Sequence, residues 1–315
     1  MDIFGFISLL GGLAMFLYGM SMLASGLERA SGGRLERTLE KMTDTVIKGV
    51  ALGALVTAAI QSSSATTVIV VGLVNAQVLK LRNAIGVIMG ANIGTTITAH
   101  ILRLSDLQTD NFFLMLLKPK SLAPLAMIVG ILFFMSAKRD RQKNIGIILL
   151  GFGVLFTGMF AMEGAVAPLS NEPWFTSLFA TFRNPVIGIL VGTFVTAAIQ
   201  SSAASIGILQ ALTSTGLITY SMAFPIIMGQ NIGTCITPIL ASIGASKNAK
   251  RTAAVHVSFN VLGTIIFVIG CYTFQHFVGF SFWDAPIDKG GIANFHTIFN
   301  VTVTLLFIPL VGLLE

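Results

Sequence analysis

Two short polar segments interrupt long apolar stretches of this chain. Gln61–Ser64 and Gln200–Ser202 each follow the same five residues, Val-Thr-Ala-Ala-Ile. Their amides and hydroxyls both donate and accept hydrogen bonds, and such groups need polar partners or water where apolar sequence surrounds them. N–H and O–H groups suit an anion, while carbonyl and hydroxyl oxygens suit a small cation such as Na⁺. The two segments are therefore candidate binding sites for small ions.

A second polar pair lies downstream of each segment. Asn92 and Thr95 lie within Gly-Ala-Asn-Ile-Gly-Thr-Thr, and Asn231 and Thr234 lie within Gly-Gln-Asn-Ile-Gly-Thr-Cys. Glycine allows the backbone to leave helical geometry, and Asn and Thr supply donors and oxygen ligands. We therefore expect these residues to interrupt the membrane helix that contains them.

All four segments belong to one internal duplication. The eight residues Val56–Ser63 recur as Val195–Ser202, at an offset of 139 residues. Over residues 53–98 and 192–237, 22 of 46 aligned positions are identical. Two copies of this length are too few and too long for a solenoid. Duplication with polar breaks in apolar segments is typical of secondary transporters, although small residues at these positions could also serve close helix packing.

The composition predicts a membrane protein. Of the 315 residues, 54% are hydrophobic and 10% are charged, against about 25% charged in soluble domains. Apolar stretches of membrane-spanning length recur along the chain, so the lipid bilayer is the expected surrounding and no stretch is left for a soluble domain. The net charge is +6, and the basic residues lie in short loops between apolar segments, so no nucleic-acid partner is expected. Two cysteines in apolar surroundings indicate neither a disulfide framework nor a metal site.

Residues 49–79 and 185–218 each contain two apolar halves around a polar segment. Each half is shorter than the roughly 20 residues that a spanning helix needs. Such a segment could form one broken crossing or a re-entrant hairpin. If both form hairpins, 14 of the 19 basic residues face the cytoplasm, whereas 12 do if both cross. Because basic loops favour the cytoplasmic side, the charge distribution predicts hairpins.

The expected fold is an all-α polytopic membrane protein built from two inverted-topology repeats. The repeats cover residues 1–138 and 144–274, and residues 294–315 add a C-terminal transmembrane helix. Each repeat contains a re-entrant hairpin followed by a broken helix, at 84–104 or 223–244. The N-terminus would lie outside, the C-terminus would lie in the cytoplasm, and the hairpin tips would meet near the membrane midplane. The expected crossings are 3–27, 84–104, 122–137, 144–166, 223–244, 252–274 and 294–314.

The hairpin tips would place helix ends at the midplane. The second half-helix begins there with free N–H groups and the positive end of its dipole, which favours an anion. The first half-helix ends there with free carbonyls, which suit Na⁺. Hydroxyl side chains near the start of the second half-helix can cap it in both copies; they are Ser63, Ser64, Thr66, Ser202 and Ser205.

The chain resembles the bacterial branch of the type II sodium-dependent phosphate cotransporter family. The resemblance is carried by Gln61–Thr67, Gln200–Ser202 and the Gly-x-Asn-Ile-Gly-Thr motifs at 90–95 and 229–234. It implies a phosphate and sodium site between inverted repeats, in a protein of the bacterial inner membrane. Ala203 departs from the pattern, because a serine is common at that position.

The resemblance implies that Gln61–Ser64 and Gln200–Ser202 line this site, with Asn92, Thr95, Asn231 and Thr234 adjacent. Thr66 and Ser205 are added because their hydroxyls lie near the start of a second half-helix. Expected phosphate-binding residues are Gln61, Ser62, Ser63, Ser64, Gln200, Ser201, Ser202, Asn92 and Asn231. Expected Na⁺ ligands are Gln61, Ser64, Thr66, Thr95, Gln200, Ser205 and Thr234.

The expected function is Na⁺-coupled uptake of inorganic phosphate by alternating access, with Na⁺ as a co-transported ion. Transport of another small anion, such as sulfate or a carboxylate, is the alternative. An intramembrane hydrolase that uses Ser63 or Ser202 is disfavoured, because neither motif has a His or Lys base nearby in the sequence; no enzyme activity is expected. A homodimer is left open.

Three further polar residues are weaker candidates. Glu163 lies late in an apolar segment and could bind a proton or Na⁺, although the equivalent position of the first repeat is Ala24. His256 and His296 share a local pattern at the start of apolar helices. For both histidines, capping and packing at a helix end are favoured over ligand binding.

Overall fold

The computed structural model of this protein describes residues 3–31, 45–106, 115–116 and 118–315. Most of the charged segment between residues 28 and 48, whose basic residues are among the 14 expected on the cytoplasmic side, is not among these described residues. Within them the regular structure is helical, apart from one isolated β-bridge between Thr219 and Pro286. The helices are α1 (Ile3–Ser31), α2 (Val46–Ile60), α3 (Ser63–Asn75), α4 (Leu81–Leu102), α5 (Pro119–Ser136), α6 (Asp140–Val166), α7 (Pro173–Thr181), α8 (Pro185–Ile199), α9 (Ser202–Leu212), α10 (Tyr220–Gly233), α11 (Ile236–Ala241), α12 (Lys247–Phe277), α13 (Lys289–Phe307) and α14 (Val311–Leu314).

Seven helical segments in the described residues are long and apolar enough to cross a membrane. They are α1, α4, α5, α6, α10 with α11, α12, and α13 with α14. Each overlaps one of the seven crossings expected from the sequence. The all-α architecture with several membrane-spanning helices is therefore confirmed.

Short helix pairs replace a spanning helix at the two Gln-Ser-Ser segments. Gln61 has φ 56° and ψ 28°, which is left-handed backbone that ends α2. Ser62 is extended, and its hydroxyl accepts a hydrogen bond from the backbone N–H of Ala65 at 3.1 Å, which caps α3. Gln200 and Ser201 repeat this arrangement between α8 and α9. Identical residues thus produce the same break twice, through a left-handed C-cap and a serine N-cap.

Glycines fix the first helix of each pair against the helix that follows. A Cβ at Gly90 of α4 would collide with the backbone carbonyl of Val50 in α2, and one at Gly229 of α10 would collide with that of Ile189 in α8. Gly94 meets Ala54 in the same way. Because later residues of α4 contact later residues of α2, the two helices run parallel. The chain must then return through α3 to reach the start of α4.

The expected interruption of the first downstream helix is wrong. α4 is continuous from Leu81 to Leu102, through the glycines and polar residues that were expected to break it. In the second repeat α10 does end at Gly233, and α11 starts at Ile236. Pro238 explains the difference, since proline has no N–H to bond the carbonyl four residues earlier and its ring clashes there. Ala99 occupies the equivalent position in α4 and continues the helix.

The first helices of the two repeats, α1 and α6, pack closely and run antiparallel. Gly12 lies against Met162, and Gly26, further along α1, lies against Ile148, earlier in α6. Between these contacts, a Cβ on either central glycine would collide with the partner helix. The contact pairs are Gly19 with Leu155 and Gly158 with Phe16. Each pair is the other shifted by the 139-residue offset, so the interface is reciprocal, as in a two-fold symmetric contact.

The second helices of the pairs, α3 and α9, lead to opposite ends of the molecule. Asn75 at the end of α3 accepts a hydrogen bond at 2.8 Å from the backbone N–H of Ser246, where α12 begins. Gln210 near the end of α9 donates one at 3.0 Å to the backbone carbonyl of Lys289, where α13 begins. α12 and α13 are antiparallel, since Phe259 contacts Phe307 while later α12 residues contact earlier α13 residues. α3 and α9 therefore point in opposite directions.

Replacement of Gly90 tests the close approach of α2 and α4. Gly90→Ala places a methyl group against the carbonyl of Val50, and overpacking of this kind costs about 1–3 kcal/mol. We expect a lower Tm for the variant in detergent, measured by heating followed by size-exclusion chromatography. Gly72→Ala is the matched control, because Gly72 of α3 has no atom near its absent Cβ. Equal losses in the two variants would contradict the close approach.

Candidate functional site

A cavity of ≈ 580 Å³ lies between the two Gln-Ser-Ser tips and α1. One wall is the C-terminal half of α1, with Ser21, Ala24, Ser25 and Glu28. The facing wall consists of the two breaks and the helix starts that follow them. Of the described lining residues only Glu28 is charged, and it lies furthest along α1. The cavity thus exposes many neutral polar groups and no lysine or arginine among these residues.

Seven of the sequence-predicted site residues line this cavity. They are Gln61, Ser62, Ser63, Ser64, Thr95, Gln200 and Ser201. The structure thus brings together residues that are more than a hundred positions apart in the sequence.

The two tips touch through one hydrogen bond. The hydroxyl of Ser64 donates to the backbone carbonyl of Gln200 at 3.1 Å. The reciprocal bond, from position 203 to the carbonyl of Gln61, cannot form because Ala203 has no hydroxyl. The single mismatch between the tips therefore changes a contact at the cavity itself.

The two glutamines have different surroundings. Gln61 is 8% exposed, and its side-chain carbonyl accepts a hydrogen bond from Thr98 at 2.8 Å. Its amide donates to the backbone carbonyl of Ala58. Gln200 is exposed to the cavity, and the hydroxyl of Thr237, the equivalent of Thr98, is buried without a partner. Gln61 is therefore held in place, while the Gln200 side chain is available to a ligand.

Two helix starts supply donors to the cavity. The serine caps satisfy the backbone N–H groups of Ala65 in α3 and Ala204 in α9. The first N–H groups of a helix have no partner within it, and they carry the positive end of the helix dipole. In α3 these groups belong to Ser63 and Ser64, which line the cavity. The arrangement can bind an anion without a charged side chain.

Two predicted ligands lie behind the tips and support them. Thr66 is fully buried; its hydroxyl donates to the backbone carbonyl of Ser62 at 3.0 Å and accepts from Thr57 at 3.0 Å. The hydroxyl of Ser205 accepts a hydrogen bond from Gln230 at 2.9 Å. These hydroxyls join each second half-helix to the helices around it. Ser202 is also buried and does not line the cavity.

Asn92, Asn231 and Thr234 face away from the cavity. The amide of Asn92 donates to Asn260 at 2.9 Å, and its side-chain oxygen lies 3.2 Å from Nε2 of His256, so it connects α4 to α12. Asn231 donates to the backbone carbonyl of Ile227 within its own helix. Thr234 likewise donates to the carbonyl of Gln230. In this conformation Asn92 joins two helices, while Asn231 and Thr234 bond backbone carbonyls of their own helix.

Thr98 and the α1 wall are part of the cavity but are not among the residues predicted from the sequence. A signal for Thr98 was present, because Thr237 repeats it at the 139-residue offset. Ser21 and Ser25 lie four positions apart in an otherwise apolar helix and therefore share a face. Glu163 does not line the cavity; it forms an ion pair with Lys289 at 2.7 Å.

Cysteine labelling tests whether the cavity is open to water. Ser25→Cys should react with a water-soluble maleimide, because Ser25 lines the cavity. Ser202→Cys, at a position 3% exposed, should react much more slowly. Both rates are measured against the parent protein, which contains Cys235 and Cys271. Equal reactivity of the two positions would contradict the cavity.

Comparison with known proteins gives the family. A family model described as Na⁺/Pi-cotransporter matches residues 15–164 and 159–283. The chain is 34% identical over 302 residues to "Uncharacterized protein YqeW" of Bacillus subtilis. This match covers 96% of this chain and 93% of that protein. It is 26% identical over 305 residues to "Putative inorganic phosphate export protein YjbB" of Escherichia coli. That match covers 96% of this chain, which spans only 53% of the relative.

A shorter match reaches mammalian proteins. "Sodium-dependent phosphate transport protein 2A" of Rattus norvegicus is 34% identical over 128 residues, which cover 38% of this chain and 20% of that protein. No solved structure matches the chain. The family model covers most of the sequence, including both Gln-Ser-Ser tips and the cavity between them, and this chain therefore belongs to the Na⁺/Pi-cotransporter family.

Proposed function

We propose that this protein transports inorganic phosphate across a membrane together with Na⁺, by alternating access. The observation that carries the proposal is the cavity in which the starts of α3 and α9 meet beside two glutamine–serine tips. Family membership supports phosphate and Na⁺ as the transported ions. The members that it groups are transporters, which supports a role in transport over an enzymatic one.

Phosphate would be bound by neutral donors. Hydroxyls of Ser62, Ser63 and Ser201, the amide of Gln200 and the first N–H groups of α3 can each donate to a phosphate oxygen. Ser202 contributes through its backbone at the start of α9, because its side chain is buried. A fixed lysine or arginine would strengthen binding but slow release. Neutral donors suit a site that must both take up and release its anion.

Na⁺ would offset the charge of the bound phosphate. The last carbonyls of α2 and α8 are unpaired within their helices and carry the negative end of the dipole. We propose that side-chain oxygens of Gln61, Ser64, Thr95 and Gln200 complete the Na⁺ coordination, because these residues line the cavity. Thr66, Ser205 and Thr234 do not line the cavity, and their hydroxyls position the tips through hydrogen bonds. Anion and cation would then bind cooperatively.

The helix directions support an inverted-repeat topology. The equivalent helices α1 and α6 are antiparallel, and α3 and α9 lead to opposite ends. If α1 and α6 both span the membrane, the two repeats enter it with opposite orientation. We propose that each short helix pair is a re-entrant hairpin, and that the N-terminus lies outside a bacterial inner membrane. The loop charges favour that orientation.

The second half-helix packs against the first long helix in the second repeat, but a cavity separates the two in the first repeat. α9 packs on α6, and Ala211 near its end is 2% exposed. The equivalent residue of α3 is Gly72, which is exposed, and the cavity separates the start of α3 from α1. The cavity extends toward Glu28, which the topology puts on the cytoplasmic side. We infer an inward-facing state, and an outward-facing state would exchange these arrangements between the repeats.

The name of one relative states a direction of transport, and that of another states a dependence on sodium. The Escherichia coli protein is named a putative export protein, and the rat protein is named sodium-dependent. Coupled transport runs either way according to the gradients. With an inward Na⁺ gradient the symport proposed here is phosphate uptake, and phosphate efflux is measured in the same assay.

Flux measurements test the proposal. In proteoliposomes, uptake of radiolabelled phosphate should require an inward Na⁺ gradient and fall to background when choline replaces Na⁺. Gln200→Ala should lower uptake by about tenfold or more, because it removes an amide that faces the cavity. Ser177→Ala is the control, since its hydroxyl bonds only its own helix at Trp174. Uptake that persists in choline would overturn Na⁺ coupling, and equal competition by sulfate would favour the other-anion alternative.

Loss of the contact between the tips should weaken substrate binding. Ser64→Ala removes the hydroxyl that bonds the Gln200 carbonyl, at a cost of about 1 kcal/mol. We expect KM for phosphate to rise roughly fivefold at saturating Na⁺. Ala203→Ser supplies the missing hydroxyl on the other tip and is not expected to raise KM. An unchanged KM in Ser64→Ala would show that the contact does not shape the site.

A further inference from the structure

Lys289 is the one buried lysine or arginine in the part of the chain that the structure describes. It is 3% exposed, and its ammonium lies 2.7 Å from carboxylate oxygens of both Asp106 and Glu163. It also donates to the hydroxyl of Ser105 at 2.6 Å. These contacts join three separate elements: the short 3-10 helix Arg103–Asp106 that follows α4, the end of α6 and the start of α13. Burial of a charge is costly unless it is paired, so this arrangement depends on all three elements being together.

Glu163 occupies a special position in the repeat. Its equivalent at the 139-residue offset is Ala24, which lines the open cavity. The face of α6 around Glu163 therefore corresponds to the α1 wall of the cavity. If the repeats exchange conformations, the second route to the tips must run along this face.

In this structure that second route is closed. α9 covers the inner part of the α6 face with small residues, of which Ala204 is 1% and Ala211 2% exposed. At the far end, a depression of ≈ 310 Å³ is lined by Asp106, Glu163 and Lys289. The amide of Gln210, late in α9, bonds the backbone carbonyl of Lys289 at 3.0 Å and that of Ala99 at 3.1 Å. The ion pairs thus lie where the outer depression meets the closed helix contact.

We propose that Lys289 is a gating residue, whose ion pairs with Glu163 and Asp106 hold the outer route closed and separate when that route opens. The proposal rests on the alternating-access function above. It adds α13, which lies outside the duplication, to the moving parts of the transporter. Once the route opens, water hydrates all three charges, so the paired arrangement stabilises only the closed state.

The charge balance gives the expected effect of each substitution. Lys289→Met leaves Glu163, which is 20% exposed, and Asp106, which is 44% exposed, close together without their cation, so the free energy of the closed state rises. Glu163→Gln removes one pair and should act in the same direction. Lys289→Arg keeps the cation and should remain close to wild type. Arg103→Met is the matched control, because Arg103 lies nearby, directly after α4, but hydrogen-bonds the neutral side chain of Asn294.

Two cysteine probes report the two sides of the transporter. Ala211→Cys lies in the closed contact, and Ser25→Cys lies in the open cavity. A membrane-impermeant maleimide is applied to right-side-out vesicles for the first probe and to inside-out vesicles for the second. Each rate is compared with that of the protein without the added cysteine, and size-exclusion chromatography verifies folding.

We expect Lys289→Met to raise outside labelling of Ala211→Cys by about fivefold or more, and to lower inside labelling of Ser25→Cys by a similar factor. The fall at Ser25 distinguishes a shift between states from local loosening around Lys289. If Lys289→Met does not fold, Glu163→Gln gives the same readout. Unchanged labelling at both probes in folded Glu163→Gln and Lys289→Met would overturn the proposal, as would an equal shift in Arg103→Met.

The labelling requires no phosphate. A shift in labelling in a protein that moves no phosphate would therefore overturn the proposed function and leave the gate standing. Normal Na⁺-dependent phosphate uptake without any labelling shift would overturn the gate and leave the proposed function standing.

Discussion

The break between two half-helices at Gln61 and Gln200 is the constraint on which the rest of the structure depends. Inside a membrane, each helix end leaves backbone N–H or C=O groups that lipid cannot satisfy. Ser62 and Ser201 satisfy one N–H each, and the left-handed glutamines turn the chain. The remaining groups need a polar ligand or water. The surrounding helices must therefore enclose a wet cavity at this point and keep lipid out of it.

Close helix packing makes that enclosure possible. Glycines of α4 and α10 let the first half-helices approach backbone to backbone, which leaves little room for lipid beside the tips. Asn92, His256 and Asn260 then connect α4 to α12 through side-chain hydrogen bonds. Polar residues in the same cassette thus divide into two groups. The glutamines and most serines at the breaks face the cavity together with Thr95 and Thr98 of α4, whereas Asn92 of α4 holds the wall.

The sequence predicted the breaks well and the downstream helices poorly, for a physical reason. Amides and hydroxyls in apolar sequence need partners wherever they lie, so the repeated Gln-Ser-Ser indicated a site without knowledge of the fold. Glycine serves two purposes, backbone freedom and close approach, and the pattern around Gly90 does not distinguish them. Pro238 was the local sign that only the second of these helices would break.

Contacts between distant elements were beyond a sequence pattern. Nothing in the residues around Ser21 shows that α1 rather than another helix faces the tips. Lys289 is one of the five basic residues that the charge count leaves outside in the hairpin topology, and its burial depends on Asp106 and Glu163, which the fold brings from two other elements. Burial of a charge is decided by its partners, so it could not be inferred from its own neighbours in the chain.

The reciprocal packing of α1 on α6 has a consequence for motion. Gly19 meets Leu155 and Gly158 meets Phe16, so each repeat presents the same surface to the other. An interface of this kind stays the same when the two repeats exchange conformations. It therefore stabilises the inward-facing and the outward-facing state equally. The α1–α6 interface can therefore stay in place while the other helices move around it. The free-energy difference between the end states then comes from residues that differ between the repeats, such as Ser64 and Ala203 or Glu163 and Ala24.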